Sequence, residues 1–527
     1  MEPAVWGQLV SWPSLVVQLA IALVAIAIRR RYLSELSDIP GPFWASITRL
    51  WHVFVILEGQ QNLRLKALHR KHGHFVRIAP REVSVSHPEA RWILQDDLFK
   101  ADWYKVTSVP DRRFQNPMST TDPKKKKALS KHFARGYGLS QVLQHEVRVD
   151  ENIRELLHWL NVFAKDQKPM DLGNFVTFTT FDNVGSVFLS KPFGFIKAGC
   201  DIGGTLKNNV ALSKFAAVAG FFLIPLRILV NPLTSGMMFL PMGHLYRTTS
   251  NAMRVRMKDH GSERDILSQW LREWERHPKL TLRQIEAQLN VNVGAGAEPV
   301  STAIQSTIYH IIQYPTALAK VRAEIADAQE NGLCLGDVVS FRDANRLPYL
   351  QACIKESLRM FSPTTMGLPR KVPEGGLTIG SRFFTKGTIL SVSSQVIHAS
   401  TEIWGPDAGQ WKPQRWLIGD TRDMEKNWLV FSAGYMTCPG RHFAMMQIVK
   451  VTASLIRDFD FDRVDPKKAW KWQANFTALT HSWPVWVRHY SGDSETSRAS
   501  PGQQCDVATG RFDADKSVRV EPTPIAS

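Results

Sequence analysis

The sequence has few cysteines and no paired spacing between them. Five cysteines occur among 527 residues, at Cys200, Cys334, Cys353, Cys438 and Cys505, with no C-x-x-C and no C-x-x-C-H pattern. This excludes the spacings typical of a disulfide framework, a zinc knuckle and a c-type haem attachment site. We therefore expect the folded part to face a reducing compartment.

Acidic residues are also scarce relative to basic ones. The chain has 48 Asp and Glu against 65 Lys and Arg, which gives a formal net charge of +17. Such an excess suits nucleic acid, an anionic membrane surface or an acidic protein partner, and composition alone does not select among them. Because no module of aromatic and basic residues typical of nucleic-acid binding occurs, we expect no nucleic-acid partner.

Charged residues are absent from residues 5–28, and three arginines, 29–31, follow directly. About 20 apolar residues span a bilayer, and an arginine cluster after them favours the cytosol for that side. A cleaved signal peptide would instead have its positive charge before the apolar run and small residues after it, and both features are reversed here. The pattern predicts a membrane anchor helix over 1–30, a basic and proline-rich hinge over 31–45, a folded domain over 46–490 and a disordered tail over 491–527, which is rich in Ser, Asp, Gly and Pro.

Helical periodicity dominates the folded domain. It predicts helices over 141–164, 252–275, 281–313, 316–330, 348–361 and 440–457. Alternating apolar and polar residues in 74–87 predict a two-stranded antiparallel unit. Residues 208–233 are apolar but interrupted by Lys214 and two prolines, which leaves open a lid, a segment that dips into a membrane, or a core helix.

A lone cysteine lies in FSAGYMTCPG, residues 431–440. A thiolate bound to haem iron needs shielding from water and backbone N–H donors. Gly434 and Gly440 would let the backbone pass close to a flat macrocycle, and Phe431 can cover the sulfur. The helix predicted after Cys438 would direct its positive N-terminal end at the thiolate.

Three further motifs precede this loop in the chain. Glu356 and Arg359 stand three residues apart on one helical face, where they can pair with each other and with a third group. Arg415 lies in WKPQRW, some 20 residues before the loop. The long predicted helix contains GAGAEPVS at 294–301, in which small residues precede an acid.

Together, these motifs resemble those of the cytochrome P-450 family of haem-thiolate monooxygenases, in particular fungal microsomal members near pisatin demethylase and benzoate hydroxylase. The resemblance covers residues 38–490 and includes the E-x-x-R pair, the P-x-R element and the F-x-x-G-x-x-x-C-x-G loop. It implies a mainly α fold with a small β-sheet region. It also implies haem b with Cys438 as axial iron ligand, and a buried structural network of Glu356, Arg359 and Arg415.

The resemblance further implies an activity and a location. One oxygen atom of O2 would be inserted into an apolar small molecule, with electrons supplied by an NADPH-cytochrome reductase. The chain would cross the endoplasmic reticulum membrane once and keep its catalytic domain in the cytosol. Fungal members of this kind often serve secondary-metabolite biosynthesis. By family position, the pocket walls would include 103–121, parts of 208–233, Val293, Ala297, 364–368 and the turn near Leu479.

The first departure from the family pattern concerns the haem propionates. Family members usually have an arginine two residues before the cysteine, and this sequence has Met436. The propionate would need another cation, and matching positions point to Arg370 and Lys126. Alternatively, the lysines at 124–127 form a solvated helix start or a docking patch for an acidic reductase.

The second departure concerns proton delivery. The family pattern of an acid followed by threonine is replaced here by Glu298 and Pro299. Proline lacks an N–H and clashes with the preceding turn, so it should bend the helix and free the carbonyl of Ala295. A water on that carbonyl would then carry protons from Glu298, and Ser301 or Thr302 would be further candidates.

The missing threonine also leaves other functions open. One alternative is a haem-thiolate isomerase or dehydratase that needs no reductase, because such members can dispense with this hydroxyl. Another is a non-catalytic haem or lipid binder. A thiolate-type absorption spectrum of the reduced carbon monoxide complex separates the binder from both enzymes, and turnover without NADPH selects the isomerase.

Overall fold

The protein is helical over most of its described length. The computed structural model describes residues 12–109, 111–222, 224–225, 241–258, 265–468, 470–480 and 482–491. The first helices are α1 Trp12–Tyr32, α2 Phe43–Ile47, α3 Leu50–Leu57, α4 Gln61–His72, α5 Ala90–Gln95, α6 Pro123–Ala134, α7 Leu139–Leu143, α8 Glu146–Asp166, α9 Leu172–Leu189, α10 Phe195–Ala198 and α11 Thr205–Ala219. The later ones are α12 Pro241–Lys258, α13 Ile266–Arg276, α14 Leu282–Gly296, α15 Glu298–Gln313, α16 Pro315–Glu330, α17 Phe341–Ala344, α18 Pro348–Met360, α19 Ser394–Ile397, α20 Thr401–Trp404, α21 Arg422–Asn427 and α22 Arg441–Asp458.

The strands form small separate sheets. They are β1 Phe75–Ala79, β2 Glu82–Val85, β3 Met170–Asp171, β4 Leu368–Lys371, β5 Leu377–Ile379, β6 Arg382–Phe384, β7 Ile389–Val392, β8 Phe459–Arg463, β9 Trp472–Ala474, β10 Ala478–Thr480 and β11 Pro484–His489. The largest sheet has the order β1-β2-β7-β4, with β2 and β7 parallel. Strands β1 and β2 are antiparallel, which confirms the two-stranded unit predicted over 74–87. The mainly α fold with a small β-sheet region is therefore confirmed.

Three of the predicted helices are not continuous. The segment 141–164 contains α7 and α8, which are separated by a tight turn in which the His145 N–H donates to the Val142 carbonyl, 3.0 Å. The segment 252–275 contains the end of α12 and the start of α13, where the Asp265 side chain caps the Ser268 N–H at 2.7 Å. The segment 281–313 is divided at Ala297. The break at Ala297 lies where Pro299 predicted a bend, whereas the helical pattern did not reveal the other two breaks.

The core is built by helices that cross behind the candidate cysteine loop. Helix α9 is buried along nearly its whole length, and it packs against α8, α14 and α15. Helix α15 also contacts α18 and α22. Because α22 begins at the end of the cysteine loop, this packing positions the loop relative to α14 and α15.

The segment between α1 and the body is held by an interior arginine. Arg77 on β1 is 1% exposed, and its guanidinium donates to the carbonyls of Arg30 at 2.8 Å and Leu36 at 3.2 Å. Gly41 lies against the same strand, since a Cβ there would stand 2.3 Å from the Arg77 carbonyl oxygen. The predicted hinge therefore packs on the sheet.

Helix α1 is the only described helix that is long and apolar enough to cross a membrane. An 18-residue window within this 21-residue helix has a mean hydropathy of 1.9, and none of the 21 residues is buried. Residues 1–11 of the predicted anchor and all but the first residue of the predicted tail, 491–527, lie outside the described residues.

Candidate active site

A cavity of about 480 Å³ lies between α6, α11, α14, α15 and the cysteine loop. Its lining is mainly apolar, and both Cys438 and Glu298 contribute to it. Many residues of the predicted pocket walls line this cavity, namely Tyr104, Val106, Thr107, Val109, Pro117, Met118, Asn209, Leu212, Ser213, Phe215, Ala216, Thr364, Met366 and Leu368. Val293, Ala297 and Leu479 are buried and do not line the cavity, but Phe476 and Thr477 of the turn near Leu479 do.

The cysteine loop presents its sulfur to this cavity. The Cys438 N–H donates to the Phe431 carbonyl at 2.8 Å, which closes the loop, and α22 begins three residues later at Arg441. The accessible surface of Cys438 faces the cavity, which it lines together with Phe431, so the residue is exposed to the cavity although protein surrounds it. Burial raises the pKa of the Cys438 thiol, whereas a hydrogen bond from the Gly440 N–H and the charge of Arg441 lower it. The N–H and the helix start therefore favour an anionic sulfur.

Gly434 and Gly440 of the cysteine loop meet different structural requirements. Gly434 has φ +62°, and a Cβ on it would stand 2.5 Å from Gln95 Cα and 2.8 Å from the Leu94 carbonyl oxygen. It is required by the close approach of α5 and by its left-handed backbone. Gly440 caps α22 with an ordinary φ of −78°, and its Cβ position is 3.9 Å from the Cys438 sulfur. Of the two glycines, only Gly440 lies beside the Cys438 sulfur, where the missing side chain leaves free space.

The predicted network of Glu356, Arg359 and Arg415 is assembled in the interior. Arg359 donates to both Glu356 carboxylate oxygens at 2.8 and 2.9 Å, and Arg415 Nε donates to one of them at 3.0 Å. Trp416 Nε1 donates to the other at 3.0 Å. These charges keep the pKa of the Glu356 carboxyl low although desolvation opposes them. The network joins α18 to the segment 404–416 that precedes the cysteine loop.

His398 connects this network to the cysteine loop. Its Nδ1 lies 3.1 Å from the Arg359 carbonyl, and its Nε2 accepts the Leu429 N–H at 2.9 Å. These partners require Nδ1–H and a neutral ring. Burial, followed by the charge of Arg359, lowers the pKa of His398 to about 3. His398 is a lone histidine in QVIHAS, and no sequence motif indicates this connecting role. Only the fold reveals it.

Three cations cluster beside the cysteine loop. Arg370 is fully buried, and one of its nitrogens donates to Tyr104 Oη at 2.9 Å, but its Nε and Nη2 have no partner. Lys126 donates to the Tyr435 carbonyl. Lys100, also fully buried, donates to the carbonyls of Pro117 and Met118.

The cluster lacks a neutralising anion among the described residues. Desolvation and then the charges of Arg370 and Lys126 lower the pKa of Lys100 to about 6. Desolvation and then the charges of Lys127 and Arg370 lower the pKa of Lys126. Buried cations without an ion pair are costly unless an anion completes the site. The group therefore fits the two propionates of haem b. Lys100 is a lone lysine in DDLFKADWY, and no sequence motif indicates that it belongs to this site.

The long central helix is broken where the sequence predicted a bend. Helix α14 ends at Gly296, Ala297 has φ −100° and ψ −61°, and α15 begins at Glu298 with Pro299 in its first turn. Pro299 has no N–H, so it cannot donate to the Ala295 carbonyl. Ala295, Glu298 and Pro299 all line the cavity at this break.

Glu298 is a buried acid tied to the neighbouring helix α11. It is 8% exposed and shares a side-chain hydrogen bond with Asn209. Desolvation raises the pKa of Glu298, Asp201 raises it further, and the bond to Asn209 opposes both. A buried carboxyl at the cavity wall is a candidate group for proton transfer.

Ser301 and Thr302 are not brought to the cavity. Both are fully buried, and neither lines it. Ser301 Oγ lies 2.7 Å from Thr177 Oγ1 and accepts from Gln305 Nε2 at 2.9 Å. Thr302 Oγ1 donates to the Ala478 carbonyl at 2.9 Å. Their hydroxyls hold α15 to α9 and β10.

Comparison with known proteins places these features in a family context. Residues 40–483 match the family model described as cytochrome P-450. The chain is 32% identical over 478 residues to the cytochrome P-450 monooxygenase hepC of Aspergillus oryzae, with 86% of this chain and 93% of the relative covered. It is 27% identical over 455 residues to pisatin demethylase of Fusarium vanettenii, with 84% and 86% covered. A crystal structure of a cytochrome P-450 superposes with a TM-score of 0.66 at 20% identity and covers 81% of this chain and 94% of that one.

Proposed function

This chain belongs to the cytochrome P-450 family, and we propose that it is a membrane-anchored monooxygenase that oxidises an apolar small molecule in a secondary-metabolite pathway with electrons from an NADPH-cytochrome reductase. The fold and the relatives show a haem monooxygenase that uses O2 and a redox partner. The observation that carries the proposal is a single cavity that holds a cysteine at the start of a helix, a cluster of unpaired cations and a buried acid.

The cofactor is haem b, and the site suits it. When bound, the haem supplies the activation of O2, which no protein side chain can perform. Cys438 would supply the thiolate that binds the haem iron, and the Gly440 N–H would stabilise this thiolate. Arg370, Lys126 and Lys100 would hold the propionates in place of the arginine that Met436 replaces.

Proton delivery would depend on the break between α14 and α15. The carbonyl of Ala295 offers an acceptor at the cavity wall, where a water would receive a proton from Glu298. Desolvation raises the pKa of Glu298, which favours its role as the proton donor, and the hydrogen bond with Asn209 would orient the carboxyl. Since Ser301 and Thr302 are engaged elsewhere, we omit them from this path.

The cavity supports a mainly apolar substrate. Phenylalanine, leucine, valine and methionine side chains dominate the lining, and Asn209 and Ser213 of α11 provide polar atoms. The Ser213 Oγ is buried without a partner. A terpenoid, polyketide or alkaloid skeleton with one or two polar substituents would fit this pattern.

Membrane attachment would involve the domain surface as well as α1. The segment 43–57 between the predicted hinge and α4 exposes several large apolar side chains, namely Phe43, Trp44, Leu50, Phe54 and Leu57. Helix α3 of this segment contacts α11, and the residues after α11 expose Phe222 and Ile224. An apolar surface beside an anchor helix is suited to the membrane interface. We therefore place the anchor over 1–30, the hinge over 31–45 and the catalytic domain over 46–490, at the cytosolic face of the endoplasmic reticulum.

Reductase docking would use the cationic surface beside the cysteine loop. Lys124, Lys125 and Lys127 at the start of α6 are exposed, whereas Lys126 points to Tyr435. Opposite charges steer encounter and weaken with salt. A Lys124→Glu, Lys125→Glu double variant should slow reduction by the reductase several-fold and lessen its dependence on salt, as measured by stopped flow. Lys168→Glu, at an exposed lysine two residues after α8, should do neither.

The decisive test uses the full chain in microsomes with the reductase. The reduced carbon monoxide complex should show the thiolate-type absorption, and Cys438→Ser should abolish it together with turnover. Product formation should require NADPH and reductase. The replacement of threonine by Pro299 favours the isomerase or dehydratase alternative, and turnover in the absence of NADPH would select it. The substrate should appear as the intermediate that accumulates in a strain that lacks this chain.

A further inference from the structure

A group of possible metal ligands lies outside the cavity, between α6 and α13. It consists of His132 on α6, Glu273 on α13 and His277 at the C-terminal end of α13. One ligand atom from each residue lies within 4.8 Å of the others. His277 Nε2 is 2.8 Å and His132 Nδ1 is 3.7 Å from Glu273 Oε1. None of the three lines the cavity.

The backbone around these residues is held by interior packing. Phe133, next to His132, is 1% exposed and packs edge-on against Trp270 at 5.2 Å. The Trp270 indole N–H reaches the Phe133 carbonyl at 3.4 Å. The three candidate side chains, in contrast, retain access to solvent, with exposed fractions of 25%, 26% and 48%. A rigid base with accessible donors is what a pre-formed metal site requires.

The separations between the three donor atoms are close to those of a metal site. In tetrahedral zinc sites, metal–ligand bonds near 2.0–2.2 Å separate neighbouring donor atoms by about 3.3 Å. The donor separations here, 2.8 and 3.7 Å from Glu273 and at most 4.8 Å overall, lie on both sides of that value. Side-chain rotations alone can therefore bring three donors to one ion, while α6 and α13 keep their places.

From this geometry, we propose that His132, Glu273 and His277 form a surface site for one divalent transition-metal ion of the Zn²⁺ type. Two imidazoles and one carboxylate are donors that zinc prefers, whereas Mg²⁺ and Ca²⁺ prefer oxygen alone. Water would complete the coordination. The ion would connect α6, which carries Lys126 and the reductase-facing lysines, to α13.

An ordinary ion pair is the competing explanation for the group. Glu273 can pair with a protonated His277 at the end of the helix without any metal. Such a pair predicts no specific ion binding and no dependence of ion binding on His132, which lies on another helix. Metal titration of matched variants therefore separates the two explanations.

The test is isothermal titration calorimetry of ZnCl₂ into the full-length, haem-loaded protein after removal of metal by a chelator. The wild type should bind one more Zn²⁺ than His132→Ala, His277→Ala or Glu273→Gln, or bind it at least tenfold more tightly. His158→Ala, at an exposed histidine of α8, serves as the control and should behave as the wild type. Equal affinity and stoichiometry in the wild type and the three site variants would overturn the proposal.

A thermal measurement provides a second readout. Zn²⁺ should raise the unfolding midpoint of the wild type, because an ion bound only by the folded state stabilises it. The rise should be lost in His277→Ala, whose side chain is half exposed and whose removal leaves the core packing of Trp270 and Phe133 unchanged. An equal rise in both proteins would show that the ion acts elsewhere and contradict the site.

Discussion

Pro299 shows how one side chain can change a helix that carries a site. Its ring removes a donor, and the chain breaks between Gly296 and Glu298 at the cavity wall. A threonine in the same place would supply an N–H and a hydroxyl. Compared with a threonine, Pro299 therefore lacks the side-chain hydroxyl but leaves the Ala295 carbonyl without its helical donor at the cavity wall.

Replacing this proline tests the proposed proton path. Pro299→Thr should restore the N–H that reaches the Ala295 carbonyl, remove the acceptor and lower the yield of product per NADPH several-fold, because unproductive reduction of O2 competes. Ser301→Ala is the control, since its hydroxyl is bound to Thr177 and Gln305 and coupling should not change. Unchanged coupling in Pro299→Thr would rule out a special role for the proline. Product and NADPH are measured together.

Lys100 and Arg370 lead to a prediction about cofactor retention. Lys100→Met or Arg370→Met should weaken haem binding roughly 10- to 100-fold, since one charge-assisted hydrogen bond contributes about 1.5–3 kcal/mol. Lys105→Met, on a half-exposed lysine paired with Asp102, is the matched control. Haem transfer to apomyoglobin measures the loss rate. Equal rates in all four proteins would show that these buried cations do not hold the propionates.

Among the elements, the segment between α1 and β1 determines how helix α1, the proposed anchor, is joined to the folded domain. Arg77 holds the carbonyls of Arg30, Leu36 and Pro80, and Arg382 pairs with Asp38. A segment held by so many donors cannot swing as a free linker. Helix α1, the proposed membrane anchor, should therefore keep a defined direction relative to the cavity.

Loss of Arg77 should release this segment. Arg77→Gln removes the charge and most of the donors, so residues 29–31 should become accessible to trypsin at least several-fold faster. Arg81→Gln, at the exposed turn between β1 and β2, is the control. Cleavage rates followed by mass spectrometry decide the matter, and identical rates for the two variants would contradict the packing role of Arg77.

At the scale of the whole molecule, buried histidines connect stability to pH. Desolvation lowers the pKa of His52, His69 and His310 to about 4 and that of His398 to about 3. These rings are neutral in the fold but take up protons near pH 6.5 in the unfolded chain. Each therefore stabilises the folded state fully above about pH 6.5, and this contribution is lost as the pH falls towards 4.

His52 is the site at which to test this relation. Its ring is 3% exposed, and its Nδ1 has no partner. His52→Phe should make the free energy of unfolding less dependent on pH between 6.5 and 4.5, by about 1.4 kcal/mol per pH unit for one proton. Urea unfolding across this range measures the slope. His158→Phe on the surface should leave the slope as in the wild type, and an unchanged slope in His52→Phe would refute the assignment.

The sequence by itself determined the features that depend on local chemistry. The anchor-like helix follows from an uncharged run, the β1–β2 hairpin from alternation, and the break at Ala297 from the missing N–H of Pro299. The haem-thiolate loop and the pairing of Glu356 with Arg359 and Arg415 follow from motifs with fixed spacing. The comparisons confirm the family and the fold that these motifs indicated.

Only the tertiary structure decided which distant residues meet. Lys100 joins Arg370 and Lys126, His398 joins the Arg359 network to Leu429, and His132 meets Glu273 across two helices. Ser301 and Thr302 lie close to Glu298 in sequence, yet they turn into the core. The physical reason is that periodicity and motif spacing describe one segment at a time, whereas burial and charge depend on the other segments packed against it.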